Sequence, residues 1–148
     1  MQDFPHHYVV VAAAQSDSNV QLASPGLDNI ESAGPAEFGG PGDLWSPETL
    51  LVASVADCFI LSFKAIARAS KLEWKALSCD VVGELNSVAR VTRFTRFNIR
   101  AVLEVPVDTN ADKARRVLDK AEQSCLITNS MIAASRLEAE VRVTEAAA

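Results

Sequence analysis

Histidine occurs only twice in these 148 residues, as the adjacent pair His6-His7, and cysteine only three times, at Cys58, Cys79 and Cys125. No cysteine or further histidine stands at ligand spacing around the histidines, so neither a metal site nor a cofactor is expected. An odd number of widely spaced cysteines is not the framework of a secreted disulfide scaffold, and it fits a reducing cytoplasm. The stretch from Met1 to Tyr8 holds no basic region followed by an apolar run, which argues against a signal peptide. Asp57, Ser62 and Lys64 interrupt the longest apolar segments, and no membrane span is expected. Excess positive charge is also missing. With a net charge of −5 the chain has no overall footprint for nucleic acid, although Arg90, Arg93, Arg96 and Arg100 cluster locally. No internal repeat or low-complexity run appears beyond the short Ala146-Ala147-Ala148 tail.

What is present describes one globular domain over residues 1–148, with 49% hydrophobic and 22% charged residues. Val9, Val10 and Val11 read as a β-rich segment and Asn19 to Ala23 as a second strand, with the turn at Gln15-Ser16-Asp17-Ser18. Residues 25–47 hold five of the six glycines and four of the six prolines, so a long shaped loop is expected there. Helix 1 then starts sharply. Ser46 can accept a backbone N–H as N-cap, Pro47 has no donor to waste at the first helical position, and Glu48 meets the positive helix end. From Leu50 to Ile66 its apolar residues cover nearly all sides, which predicts a central helix.

Beyond Lys71, Leu77, Cys79, Val81 and Leu85 share one strand parity, and Phe97, Ile99, Ala101, Leu103 and Val105 form a second alternating run. These predict a long hairpin turning at Asn86-Ser87. Thr109 with Asp112 resembles a capping box for helix 2. Ala114, Val117, Leu118, Ala121 and Cys125 recur at helical spacing, with Cys125 near the end of the apolar face. Leu137, Ala139, Val141 and Val143 alternate with charged residues as a closing strand. On their strands, Arg96 and Arg100 lie opposite in parity to Phe97 and Ile99, which predicts a solvated or interface-facing surface.

A single cysteine on an apolar helix face is more often a small inert hydrophobe than a nucleophile. Cys79 fits that description, sharing the parity of Leu77 and Val81. Cys58 differs because Cys125 could serve as its second thiol: a sulfenic acid condenses with a resolving thiol to form a disulfide. Glu48 has an ordinary role in the first helical turn, and a straight helix would separate it from Cys58 by about 15 Å.

Pro47-Glu48, the ten-residue step to Cys58-Phe59, the strand pair after helix 1, and Ala121-Glu122-Gln123-Ser124-Cys125-Leu126-Ile127-Thr128-Asn129-Ser130 together resemble the OsmC/Ohr family, from about Phe38 to Val143. The resemblance implies an α+β fold with antiparallel β-sheets wrapped around central helices in an intertwined homodimer. It also implies a thiol-dependent peroxidase. Cys58 would attack an organic hydroperoxide, Cys125 would resolve the sulfenic acid, a dithiol reductant would restore both thiols, and Glu48 would orient an arginine that keeps Cys58 ionised. The characterised reductases supply that arginine ahead of the Pro-Glu pair, whereas residues 1–67 contain no arginine and only Lys64 as a positive side chain. Arg93, Arg96 and Arg136 are the candidate substitutes. The alternative is a catalytically weak or inactive member of the same fold. It would serve as a dimer binding a small apolar ligand near Phe38, Leu44 and Trp45, or as a redox sensor.

Overall fold

The computed structural model describes residues 2–145 of the chain, so the Ala146-Ala147-Ala148 tail lies outside the described residues. Two compact units are present, residues 1–51 and 52–148.

In the first unit, β1 (Val11–Ala13), β2 (Val20–Ala23) and β3 (Ile30–Ser32) form an antiparallel sheet in that order. The expected opening hairpin is present. Its turn is tied by the N–H of Gln15 donating to the Ser18 hydroxyl at 2.9 Å and by Ser18 N–H donating to the Gln15 carbonyl at 3.2 Å. Val9 and Val10 precede the strand, because pairing with β2 begins only at Val11 opposite Ala23. The stretch expected to be a loop contains β3 and a 3₁₀ turn at Ala36–Phe38. Strand β3 is legible only through pairing, since Ile30 is its one apolar residue, set against Leu22. Further on, Gly34 and Gly40 bring their backbones so close that a Cβ on Gly40 would meet the Gly34 carbonyl group. This close approach requires glycine at 40.

Helix α1 (Pro47–Ala69) begins in the first unit and continues in the second. Its start is the expected one. Ser46 Oγ accepts from Thr49 N–H at 3.1 Å while Ser46 N–H donates to Thr49 Oγ1 at 2.8 Å, a reciprocal cap that satisfies two otherwise orphaned donors. The other end closes with Leu72 N–H on the Ala67 carbonyl and Lys71 N–H on that of Arg68, Lys71 taking φ 52° where glycine is usual.

The second unit contains a three-stranded sheet, β4 (Ala76–Val88), β5 (Val91–Val105) and β6 (Ala134–Val143), in the order β4-β5-β6. The long hairpin is present but turns at Ala89-Arg90, not at Asn86-Ser87. Both turn residues take positive φ, 50° and 65°, the geometry that matches the right-handed twist of paired strands. Asn86 and Ser87 stay in register with Arg93 and Thr92. Just before Asn86 the register shifts between Glu84 and Leu85, so that Glu84 faces Arg96 and Leu85 faces Phe94. Thr95 is the extra residue, and its hydroxyl bonds the Glu84 carbonyl at 3.3 Å. The bulge puts Phe94 and Phe97 on one face, where their rings stack at 5.2 Å. Strand β6 runs parallel to β5, so the sheet is mixed rather than antiparallel throughout. A parallel neighbour needs a crossover, and α2 (Ala111–Gln123) with α3 (Leu126–Asn129) supplies it.

Helix α2 starts one residue later than the Thr109 box predicts. Asn110 is the N-cap and its side chain accepts from Lys113 N–H at 2.9 Å, while Thr109 N–H closes a turn on the Pro106 carbonyl. Ala114, Val117, Leu118 and Ala121 are buried as expected, and so is Cys125, which lies beyond the helix as N-cap of α3. The core of this unit lies between the helices and the inner face of the sheet. That face is built from Phe97, Ile99, Ala101, Leu103 and Val105, with Val55, Phe59, Phe63 and Ala67 of α1 also buried. These four α1 residues recur every fourth position and form one stripe. Leu61, on the same helix, is 56% exposed.

Candidate active site

Cys58 is half-buried on α1, one helical turn before Ser62, and the Sγ to Oγ distance is 3.9 Å. The sulfur also receives the backbone N–H of Ile127 and lies within hydrogen-bonding reach of the Cys125 thiol. Both cysteines are free thiols, and Cys125 is fully buried. The fold therefore brings together the two cysteines that sequence reasoning paired. It does so because α3 starts immediately after Cys125: the first N–H groups of a helix have no intrahelical acceptor, and that of Ile127 is spent on Cys58.

Burial is the largest influence on the Cys58 thiol and raises its pKa above the ordinary 9.0. The Ile127 N–H opposes this by favouring the thiolate. Next, the neighbouring Cys125 raises it again, both as a hydrogen-bond partner and as a second potential negative charge, and the Ser62 hydroxyl lowers it. None of these groups is a cation, so at neutral pH Cys58 in this single chain is a thiol. Arg93, Arg96 and Arg136 are exposed, and by register they lie on the face of the sheet turned away from the core. Arg136 instead approaches Glu138 at 3.8 Å.

Cys79 stands half-buried on the inner face of β4, opposite Ala101. Its thiol is pushed up to about 11, first by burial, then by the negative charge of Asp80 and by electrostatic repulsion from the neighbouring Cys125. Its inward position suits the packing role expected of Cys79, and Cys125 lies within its electrostatic range. In the first unit, Glu48 is half-buried and its Oε2 is buried with no hydrogen-bond partner among the described residues. A cavity of about 350 Å³ in the same unit is lined by Gly42, Asp43, Leu44, Trp45 and Thr49. Among the described residues no group of three or more His, Cys, Asp or Glu side chains gathers to hold a metal ion.

Sequence reasoning missed two groups. Ser62 was legible as the position four residues after Cys58, on the same helix face. The Ile127 N–H carries no side-chain letter. Its one signal was Cys125-x-x-Thr128, where the Thr128 hydroxyl donates to the Cys125 carbonyl at 3.1 Å and marks a new helical turn.

A mixed sheet with helices on its inner face, and two thiols meeting between α1 and the turn after α2, define an α+β thiol protein. The family model for OsmC-like protein matches residues 40–140, more than half of the sequence, and the chain belongs to that family. The uncharacterized protein YmaD of Bacillus subtilis (strain 168) is 28% identical over 112 residues, covering 74% of this chain and 75% of its own. Solved structures with the same fold include an OsmC-like protein of unknown function from Vibrio cholerae. It has a TM-score of 0.82 at 17% identity, over 92% of this chain and 100% of that one. An organic hydroperoxide resistance protein OsmC from Legionella pneumophila follows, with a TM-score of 0.72 at 23% identity, over 94% and 100%.

Proposed function

We propose that the protein is a cytoplasmic thiol-dependent peroxidase that reduces organic hydroperoxides, with Cys58 as the peroxidatic and Cys125 as the resolving cysteine. The observation that carries this reading is the pairing of two free thiols, one of them fully buried, with a backbone N–H donated to the attacking sulfur. The Cys58 thiolate attacks the O–O bond, forming an S–O bond and releasing the alcohol once a proton reaches the departing oxygen. The product at Cys58 is a sulfenic acid. The Cys125 sulfur then displaces its hydroxyl as water, leaving a Cys58–Cys125 disulfide, and a dithiol reductant takes the disulfide back to two thiols.

The proposal includes a homodimer. Helix α1 has a mean hydropathy of 2.0 over its most apolar 18 residues, of which 22% are buried. A second copy covering this helix accounts for that exposed apolar surface. It is also the source proposed for the cation that Glu48 would hold and that would ionise Cys58, since Arg93, Arg96 and Arg136 face away from the core in their own chain. The two units, in this reading, act as one OsmC-like domain.

One equivalent of cumene hydroperoxide added to the reduced protein should produce a fast Cys58–Cys125 disulfide by mass spectrometry, lost in Cys58→Ser and in Cys125→Ser. Turnover that survives Cys58→Ser would sink the assignment. The raised pKa of Cys58 favours a second reading, a slow thiol that serves as a redox sensor: it predicts stoichiometric oxidation without turnover in the presence of a dithiol. The cavity beside Leu44 and Trp45 offers a place for the small apolar ligand of an inactive family member. That version predicts saturable binding of an apolar ligand and thiols no faster than a model thiol.

A further inference from the structure

The turn that carries Cys125 is tied down by more bonds than its length requires. The Cys125 N–H donates to the Glu122 carbonyl at 3.2 Å, and the Cys125 carbonyl accepts from the Thr128 hydroxyl at 3.1 Å. Around these, the Asn129 side-chain amide donates to the Gln123 carbonyl at 3.1 Å. All of these are local to residues 122–129. Two links leave the segment: the Ile127 N–H reaches Cys58 Sγ on α1, and the Ser135 hydroxyl on β6 donates to Glu122 Oε1 in a half-buried hydrogen bond. Ser135 is paired in the sheet with Phe97, a fully buried residue of β5. The side chain of Glu122 is thus fixed to the core sheet while its main chain holds Cys125.

We propose that Glu122 is a positioning residue for the resolving thiol, acting through the hydrogen bond from Ser135. This inference rests on the reading of Cys58 and Cys125 as a disulfide-forming pair. Disulfide closure demands a narrow separation and orientation of the two Cβ atoms, and a thiol held near that geometry reacts as if at high concentration. Cys125 sits past the end of α2, so neither helix nor strand alone fixes it. With the Ser135 bond gone, the segment keeps its internal bonds and the Ile127 link to α1 but loses its anchor on the sheet, and can pivot. Cys58 stays on α1 and feels the segment through the Ile127 N–H, whereas disulfide closure depends directly on where Cys125 is held. The resolving step should suffer most.

Two measurements on the full chain test this. In the first, reduced protein is treated with cumene hydroperoxide and dimedone together, and the partition of Cys58 between dimedone adduct and disulfide is read by mass spectrometry. In the second, the Cys58–Cys125 couple is equilibrated with reduced and oxidised glutathione, which needs no peroxide chemistry. Glu122→Met and Ser135→Ala should each shift both the partition and the glutathione equilibrium roughly tenfold away from the disulfide, the scale of one hydrogen bond to a charged group. Total Cys58 oxidation should change less than the partition does. Glu122→Gln keeps an oxygen that can accept from Ser135 and should recover most of the effect, which a general loss of stability would not predict. Wild-type values in Glu122→Met and Ser135→Ala would overturn the inference, and so would a Glu122→Gln as impaired as Glu122→Met. If peroxide oxidises nothing but the glutathione shifts appear as stated, the peroxidase reading fails and the positioning role stands. If wild-type protein forms no Cys58–Cys125 disulfide from either peroxide or oxidised glutathione, both fail.

Discussion

Replacing Gly83 by Ala tests how closely α1, the helix that carries Cys58, leans on the sheet. Gly83 is on the inner face of β4, and a Cβ built there would lie 2.7 Å from Val52 Cγ2 and 2.8 and 3.1 Å from two ring carbons of Phe94. Side-chain carbons in ordinary contact stand 3.4 Å or more apart, so both neighbours must retreat by several tenths of an ångström. Over-packing of this kind costs about 1–3 kcal/mol. Against it stands roughly 0.5–1 kcal/mol from the reduced freedom of alanine in the unfolded chain. A net loss of about 1–2 kcal/mol is expected, which lowers Tm by roughly 3–6 °C for a chain of this length. Calorimetry supplies the first readout and the rate of iodoacetamide alkylation at Cys58 the second, because a displaced α1 loosens the burial of its thiol. Adding Val52→Ala removes the closest contact but not those with Phe94, so the double variant should recover part of the loss. A Gly83→Ala protein as stable as the parent, or a double variant whose losses simply add, would falsify the packing argument at this crossing.

The remaining predictions concern the thiols. Because the Cys58 pKa is raised above 9.0 and no cation is among the described groups that act on it, its peroxide reaction in a monomeric state should climb about tenfold per pH unit from pH 7 to 9. A plateau near neutral pH in stopped-flow measurements would show that a cation is supplied from outside the single chain. Cys79, at about 11 against 9.0, should alkylate about a hundredfold more slowly than a free thiol at pH 8. The same shift has a stability sign. The folded chain holds its Cys79 proton more tightly than the unfolded chain, so the contribution is complete below pH 9 and is lost as pH rises towards 11. At full strength a shift of this size would be worth about 2.7 kcal/mol, and solvent at a half-exposed group screens it to about 1 kcal/mol. Urea titrations of the parent and of Cys79→Ala should therefore converge by about that amount between pH 9 and 11. Parallel curves would refute the assignment.

The parts of the fold that were legible in the sequence are those where local chemistry and burial agree. Ser46-Pro47 marks a helix start that needs no tertiary help. The alternation of Phe97 to Val105 survives because each inward residue reaches the core. Where they disagree, pairing wins. Asn86-Ser87 carries better turn chemistry than Ala89-Arg90, yet two long strands that stay paired on both sides of the bulge move the turn outward and force positive φ on residues that resist it. Strand β3 has almost no signal of its own and exists because β2 has an open edge. At the site, Cys58 and Cys125 were legible as types in a spaced motif, whereas their meeting depends on where α2 stops. The helix ends at Gln123, two residues short of Cys125, and a one-turn helix begins there instead. A helical periodicity that runs on through Cys125 hides that break.

Three features of the single chain point the same way. Helix α1 is apolar on nearly all sides and buries one stripe. Glu48 has a buried carboxylate oxygen with no hydrogen-bond partner among the described residues. Cys58, the proposed nucleophile, has its pKa raised by burial and by a neighbouring thiol, and the groups that lower it are an N–H and a hydroxyl. Each is costly in isolation: exposed apolar surface invites association, an orphaned buried oxygen lacks its solvation, and a protonated thiol reacts slowly. Apolar cover and positive charge are the two things missing, and Arg93, Arg96 and Arg136 are positive charges that their own chain turns outward. A second copy packed on α1 would supply the cover, and one of those arginines the charge. The reactivity of Cys58 would then depend on protein concentration through the dimer equilibrium, rising as the dimer forms. Alkylation of Cys58 at pH 7 that is equally fast across the monomer–dimer transition, followed in parallel by sedimentation, would separate the two deficits and leave the cation to be found within the chain.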